Sequence, residues 1–542
     1  MKRFILYMAI GVVLTITSCS KDFLNETPYS SYTPEKLTDA LGFEASLTGL
    51  YNHLSTIYSW SDRQGWVSVW QVGTDVANAT NNLESVEIPY FNYSLLNSED
   101  GAAARMWNRC YIMINLTNII INSIEGADVT GLSQEEKNAI NAEAKFFRAF
   151  AYNTLATLYG SVPVITTALS GPKTDFVRAP LEEVNGLIIS DLQFASQSLP
   201  HIDEVKSNTA GRMFARANRF MAMQLLGEVY LRTDQPALAE EQLSNIINSG
   251  AFQLVSNRYG VKEGQKGDPF SDMFVYGNQR RDQGNTEAIW VMEQENPATV
   301  VGGITDNPQQ RRVWGAAYHN VPGMVLADSL GGRGLGRLRL SNWVLYGLYQ
   351  PGDVRNSENN IRRRYYYNNP TSPNFGKPVP YAGADTAFNI APHTTKWYQF
   401  DPNDTFGYAM IKDFILMRLG ETYLLLAEAQ FKQGKLQEAA DNINKLRERA
   451  FADYPQKGQV LASDITLDFI LDERARELIG EENRRMTLMR TKTLVERAIR
   501  LNSNSAVNPL RGISPNNLLL PIPLREIQLN KDAILEQNPG YN

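Results

Sequence analysis

Cysteine is almost absent: two residues in 542, Cys19 and Cys110. So few thiols allow no disulfide framework and no thiolate zinc site. Histidine is scarce too. His53, His201, His319 and His393 are the only four, none stands four residues from another, and none begins a His-Glu-x-x-His run, so the zinc-hydrolase motif is missing. There is no Gly-x-Ser-x-Gly elbow for an activated serine. Beyond the first sixteen residues no apolar stretch nears the ~20 residues of a membrane-spanning helix. An excess of positive charge is also missing: the formal net charge is −6. That argues against nucleic-acid binding.

What is present begins at the N-terminus. Lys2 and Arg3 precede an apolar run from Phe4 to Ile16, followed by Thr17, Ser18 and Cys19. The layout is that of a signal peptide. A cysteine straight after small residues fits a lipoprotein signal, with Cys19 acylated as the mature N-terminus; several acyl chains anchor where one does not. Removal of Lys2 and Arg3 takes the net charge to about −8. The polar run from Asp22 to Thr33, with Pro28, reads as an extended tether. Thr33-Pro34 then supplies an N-cap and first-turn proline for a helix with Leu37, Leu41, Leu47, Leu50 and Leu54 on one face. Cys110, without a partner, reads as a buried thiol.

A repeat appears at an offset of 200. Leu226, Gly227, Glu228, Ala239, Leu243 and Ile246 correspond to Leu426, Ala427, Glu428, Ala439, Ile443 and Leu446. The spacing is that of a tetratricopeptide helical pair, with small residues where two helices approach. Ala142–Gly160 with Leu181–Leu199, and Ile465–Arg490 with the stretch C-terminal to it, read as further pairs. One pair cannot bury its own face, so several must stack. Two regions break the helical pattern, about 60–100 and 250–406, rich in glycine, asparagine, proline and aromatics, with strand-like runs at EAIWVMEQ and RRRYYYNN. Long loops on a rigid scaffold favour binding.

Several motifs resolve to structure. The run GGRGLGR from Gly331 to Arg337 follows no buried strand and lacks the phosphate-loop lysine, so it reads as a flexible loop. Glu473, Glu477 and Glu481 share a helix side with Arg474, Arg484 and Arg485 close by, the pattern of an ion network rather than a glycosidic acid pair. Among the aromatics, which make up 10% of the chain, Trp60, Trp66, Trp70, Tyr90, Phe91 and Tyr93 fall in the first loop region and Tyr276, Trp290, Trp314 and Tyr318 in the second. Sugar rings stack on such faces, and Asn78, Asn81, Asn82, Arg311 and Arg312 are close in sequence to bind hydroxyls. Trp290 sits in a strand-like run. Trp314, in the polar stretch NPQQRRVWGAAYHN, is the best candidate for exposure.

Six motifs in order resemble the SusD/RagB family of outer-membrane nutrient-binding lipoproteins of Bacteroidota: CSKDFLNETP, AEAKFFRAFAYNTLATLYGSVPVI, Asp353 and Arg355 in GDVRN, MRLGETYLLLAEA, DERARELIGEENRR, and LPIPLREIQLNKDAILEQNPGY. Met486 to Leu488 depart from the family's aromatic-Asp-Leu. The resemblance implies a mostly α fold, a tetratricopeptide-like scaffold with two loop-rich, partly β inserts. Residues 1–18 are then the signal, 19–33 the lipidated tether and 34–542 the SusD-like domain, its scaffold at about 34–60, 105–250 and 410–500. It implies a surface lipoprotein, not an enzyme and without a cofactor. Such a protein binds glycan and delivers it to a SusC-like TonB-dependent transporter. A peptide-binding RagB-like member and a surface glycoside hydrolase are the alternatives. By family position the platform falls on Tyr90, Trp290 and Trp314, with Trp66 and Tyr276 in reserve and Asn81 and Arg311 beside them.

Overall fold

A computed structural model describes residues 37–58, 65–126, 129–169, 171–205, 215–300, 303, 308–407 and 410–541. Cys19, the tether and Trp60 lie outside the described residues. The long helices are α1 (Ala40–Tyr58), α2 (Gly101–Ile124), α3 (Gln134–Tyr159), α4 (Leu181–Ser198), α5 (Arg219–Arg232), α6 (Pro236–Asn248), α7 (Leu419–Lys432), α8 (Leu436–Ala450), α9 (Leu467–Leu478), α10 (Arg484–Arg490) and α11 (Leu494–Asn502). The fold is mostly helical, as expected. The sequence supplies the starts. Asp100 caps α2 by accepting from the Ala103 amide, Ser133 and Glu136 form a capping box on α3, and Asn218 caps α5. The helix α1 begins at Ala40, and Thr33 and Pro34 lie outside the described residues. Leu47, Leu50 and Leu54 face the core, but Leu41 is exposed, because it lies on the opposite side of the first turn.

The helices pair as the offset of 200 predicts. The α5–α6 and α7–α8 turns share one hydrogen-bonding pattern: the Gln235 amide donates to Tyr230 O at 2.8 Å, and the Lys435 amide to Gln430 O at 2.9 Å. Both turns pass through a left-handed residue, Asp234 and Gly434, at φ 58° and 76°. Gly227 is needed for packing: a Cβ there would lie 2.8 Å from Leu243 Cγ. Consecutive helices from α2 to α6 pack against one another, α6 meets α7 between the two repeats, α7 pairs with α8, and α9 closes on α7.

Among the described residues six short strands form three two-stranded ribbons: β1 (Ala77–Ala79) with β3 (Leu338–Leu340), β2 (Ala288–Met292) with β6 (Phe414–Arg418), and β4 (Ile361–Arg362) with β5 (His393–Thr394), all antiparallel. The RRRYYYNN run alternates as a half-buried strand does: Tyr365 is buried, Tyr366 is exposed, and the Val379 amide bonds back to Tyr365 O at 2.9 Å. The glycine run at 331–336 is not a loose loop. A Cβ on Gly332 would strike Gln399 O at 2.4 Å and one on Gly334 would strike Gly315 O at 2.1 Å, so these glycines let backbone pack on backbone.

An unusual share of the core is charged. Glu473 binds Arg355 at 2.9 Å, Arg447 at 2.9 Å and Arg476 at 2.8 Å. Glu477 binds Arg418 at 2.7 Å, Arg355 at 3.0 Å and also Arg449. Burial alone would raise both carboxyls; the guanidiniums override it and hold both well below the usual range. The Asp353-x-Arg355 motif and the α9 glutamates are therefore one structure, with Arg355 also on Asp353 at 2.8 Å. Asp75 anchors Arg484 at 2.6 Å and Arg497 at 2.8 Å. Near the other end, the Asn538 side chain donates to Tyr159 O at 2.9 Å and Leu520 O at 2.8 Å. Cys110 is a buried free thiol whose pKa burial pushes up.

Candidate ligand-binding site

The β2–β6 ribbon lies against the helical stack, and its apolar side chains face a cavity of about 200 Å³. Trp290 projects from β2 among Phe146 and Phe150, with ring centroids at 5.3 and 5.6 Å. Phe414, at the start of β6, meets Trp397 at 4.9 Å and Tyr58 at 6.0 Å. Trp70 and Trp314 complete the aromatic wall. Trp397 is held by its indole N–H, which donates to Gly480 O at 2.8 Å. Gly480, at φ 81°, is where the chain passes beneath the Trp397 and Trp314 indoles; a Cβ there would sit 2.8 Å from Thr394 Cγ2.

Three polar side chains line this cavity with atoms left over. Gln310 donates to Tyr58 O at 2.8 Å, yet its Oε1 accepts nothing. Gln71 donates to Glu482 O at 2.7 Å, and its Oε1 is likewise unused. Arg474 binds Glu421 and Glu482, each at 2.8 Å, leaving Nη1 without an acceptor. Buried polar atoms are almost always satisfied. Two unused acceptors and one unused donor thus belong to this wall beside four indoles; each atom is closed to solvent, so a ligand with hydroxyls and flat C–H faces reaches them when those side chains turn. Glu421 is raised by burial, with Arg474 opposing it.

The sequence candidates scatter around this geometry. Trp290 and Trp314 come together here, but as buried walls. Trp314 is 2% exposed, not displayed, because its polar neighbours Gln310, Arg311 and Arg312 are buried as well. Tyr90 is elsewhere in the core: its hydroxyl donates to Asp100 Oδ1 at 2.7 Å and Arg485 covers its ring at 4.8 Å, so it is a structural residue. Arg311 is a strut, donating to Gln399 O at 3.1 Å and Gly407 O at 2.7 Å, and burial pulls its pKa down to about 10. Trp66 is half-buried under Arg105 and lines a separate outer groove of about 760 Å³ along α2. Tyr276 is half-exposed beside the Arg280–Asp413 pair, and Asn81 is exposed just past β1; neither lines the cavity. Sequence reasoning missed Tyr58, Trp397, Phe414, Gln71, Gln310 and Arg474. Only Trp397, an indole in a loop-rich stretch, carried a signal that composition reveals.

The histidines stand apart from one another. His393 is buried between Ala391 O at 2.8 Å and the Tyr398 hydroxyl at 3.0 Å, and burial pushes its pKa down to about 4. Among the described residues no group of histidine, cysteine and acids gathers as metal ligands would.

The model of the SusD family matches residues 339–541, and a second, described as starch-binding and associating with the outer membrane, matches 22–231. The chain belongs to the SusD family. Its SusD-like relatives include protein P25 of Formosa agariphila, 24% identical over 98% of this chain and 99% of that one. Protein P2 of the same organism is 26% identical over 98% of each chain. The starch-binding protein SusD of Bacteroides thetaiotaomicron is 35% identical, over 24% of this chain and 22% of its own length. Two solved structures share the SusD fold. A laminarin-binding SusD-like protein aligns at TM-score 0.67 and 21% identity over 93% of this chain and all of that one. Surface glycan-binding protein A of Bacteroides thetaiotaomicron, in complex with laminarihexaose, aligns at 0.69 and 16% over 92% of this chain and all of its own.

Proposed function

We propose that this SusD-family chain is a non-catalytic glycan-binding lipoprotein, held on the outer membrane through Cys19, that captures oligosaccharide and passes it to a SusC-like TonB-dependent transporter. The observation that carries the reading is the pairing of the indole-walled cavity with the unused atoms of Gln71, Gln310 and Arg474. The indoles supply C–H/π contact and the amides and guanidinium bind hydroxyls. A volume of about 200 Å³ equals the liquid share of roughly seven waters. That is room for one sugar ring, so the cavity takes a single unit of the glycan. Relatives named for starch, laminarin and surface glycan support the ligand class.

Catalysis finds no support in the acids. Glu473 and Glu477 are locked as carboxylates on three guanidiniums each, which removes them as proton donors. Glu421 and Glu482, carboxylates beside the cavity, share Arg474.

The test is affinity electrophoresis and calorimetry on the body from Lys21 against starch, laminarin and other soluble polysaccharides, with a reducing-end assay alongside. One polysaccharide class should retard the protein, and Gln310→Leu should weaken that binding roughly tenfold with the melting transition retained. Trp314→Ala should abolish it. New reducing ends, or binding indifferent to both substitutions, would overturn the reading.

A further inference from the structure

A second cluster of rings and cations lies on the surface, sharing no residue with the cavity. Tyr346 closes a short helix, Asn342–Tyr346, and is 71% exposed; Tyr381, on a neighbouring loop, is 45% exposed. Burial raises the Tyr381 phenol, and the Arg339 guanidinium and the Tyr346 phenol both lie close enough to act on it. The two rings are therefore one patch rather than two scattered side chains.

Two guanidiniums frame it. Arg339 donates from Nη1 to Leu340 O at 3.0 Å and Asn342 Oδ1 at 3.1 Å. Arg363 donates to Leu345 O at 3.3 Å, beneath the Tyr346 backbone, and to Asn356 O at 3.2 Å. All these acceptors are neutral. Glu358 lies on Arg362 at 3.7 Å. Among the described side chains neither Arg339 nor Arg363 is in ion-pair contact with a carboxylate, whereas Arg355, Arg418, Arg447 and Arg484 in the core each hold acids. Against an overall net charge of −6, this is a local positive spot.

The floor of the patch is polar and incomplete. Asn78 stands directly opposite Arg339 in the β1–β3 register, so the two side chains share a face of the ribbon. Asn78 is 3% exposed and its Nδ2 has no acceptor. Asn81 is exposed three residues on.

We infer that Tyr346, Tyr381, Arg339, Arg363 and Asn78 form a second, outer binding site for sugar units that carry an anionic substituent, a carboxylate or a sulfate ester. The tyrosine faces take the ring and the unpaired guanidiniums take the anion. Arginine suits either anion, because its planar fork matches both geometries. The class differs from that of the cavity, where Arg474 already holds two acids. The site rests on its own residues and stands or falls apart from the cavity.

The experiment uses the full body with three matched probes: dextran, dextran sulfate and polygalacturonate, in affinity gels and calorimetry. At least one charged polymer should bind, less tightly as salt rises. Tyr346→Ala and Arg339→Gln should each weaken it roughly tenfold while Gln310→Leu leaves it unchanged. Tyr346 and Arg339 are both at least partly exposed, so the fold is retained. Dextran sulfate alone, or polygalacturonate alone, would identify the anion. Failure of both charged probes, or charged binding that Tyr346→Ala and Arg339→Gln leave intact, would overturn the outer site. Neutral-glycan binding sensitive to Gln310→Leu would meanwhile keep the cavity reading.

Discussion

Replacing Glu473 by glutamine removes one charge and almost no volume. In the wild-type protein its carboxylate is fully buried and meets Arg355, Arg447 and Arg476 at 2.8–2.9 Å. Arg355 keeps Asp353 and Glu477 after the change. Arg447 and Arg476 do not: among the described residues Glu473 is the sole acid in ion-pair contact with either, and their remaining partners are Gln350, Gly458 O and Leu348 O. Two buried guanidiniums are left uncompensated. Breaking a buried pair in this way destabilises by about 3–5 kcal/mol. The sign with pH follows from the depressed carboxyl: its stabilisation is complete above the ordinary carboxylate range and is lost only as pH falls through its low folded value. Glu473→Gln should therefore lose the full amount, about 3–5 kcal/mol, at pH 7, read as a shift of the urea midpoint by tryptophan fluorescence. Glu496→Gln, at an exposed pair with Arg500, is the control and should change stability by less than about 1 kcal/mol. A loss at Glu473 no larger than the control's would refute the account of this core as an interlocked charge network.

Gly227→Val should destabilise by about 1–3 kcal/mol, since its Cβ meets Leu243 at 2.8 Å and the helices must part; an unchanged melting temperature would contradict the packing role. Glu293 shares Arg280 with Glu295 and Asp413, and burial pushes it up to about 7 against the pull of Arg280. A raised acid is stabilising while protonated, and that contribution drains away between about pH 4.5 and 7. Glu293→Gln should thus raise the melting temperature relative to wild type at pH 8 and not at pH 4; equal effects at both would exclude this titration. Gln310→Leu and Trp314→Ala in the cavity, and Tyr346→Ala and Arg339→Gln on the surface, carry the binding predictions, each read by affinity gel and calorimetry.

Much of the scaffold was legible because helix pairing writes itself into spacing. The structure extends the offset of 200 to the turn, where Asp234 and Gly434 take the same left-handed backbone. The ion network was legible as carboxylates four residues apart with arginines between. Exposure was not. Tyr90 and Trp314 sit in polar neighbourhoods, and polar neighbours usually signal surface. Here Arg311 and Arg485 are themselves buried, bonded to backbone carbonyls and to Tyr93 from elements far away in the chain. The cavity was hidden for the same reason. Tyr58, Gln71, Gln310, Trp397 and Arg474 meet only in three dimensions, and an unused amide oxygen leaves no trace in composition. Tyr346 and Tyr381 carry no sequence signal either, because the ribbon that sets Arg339 beside Asn78 has three residues per strand, too short to announce itself.

The ties between distant segments bear on how such a chain is made. Asp75 emerges from the ribosome some four hundred residues before Arg484 and Arg497, and Tyr159 O long before Asn538. Until those partners arrive, the early half carries an acid and backbone carbonyls whose folded-state partners are still missing. For a chain exported through a membrane channel, as the proposed lipid anchor at Cys19 requires, such late closure would keep the chain pliable until its arginines reach Asp75.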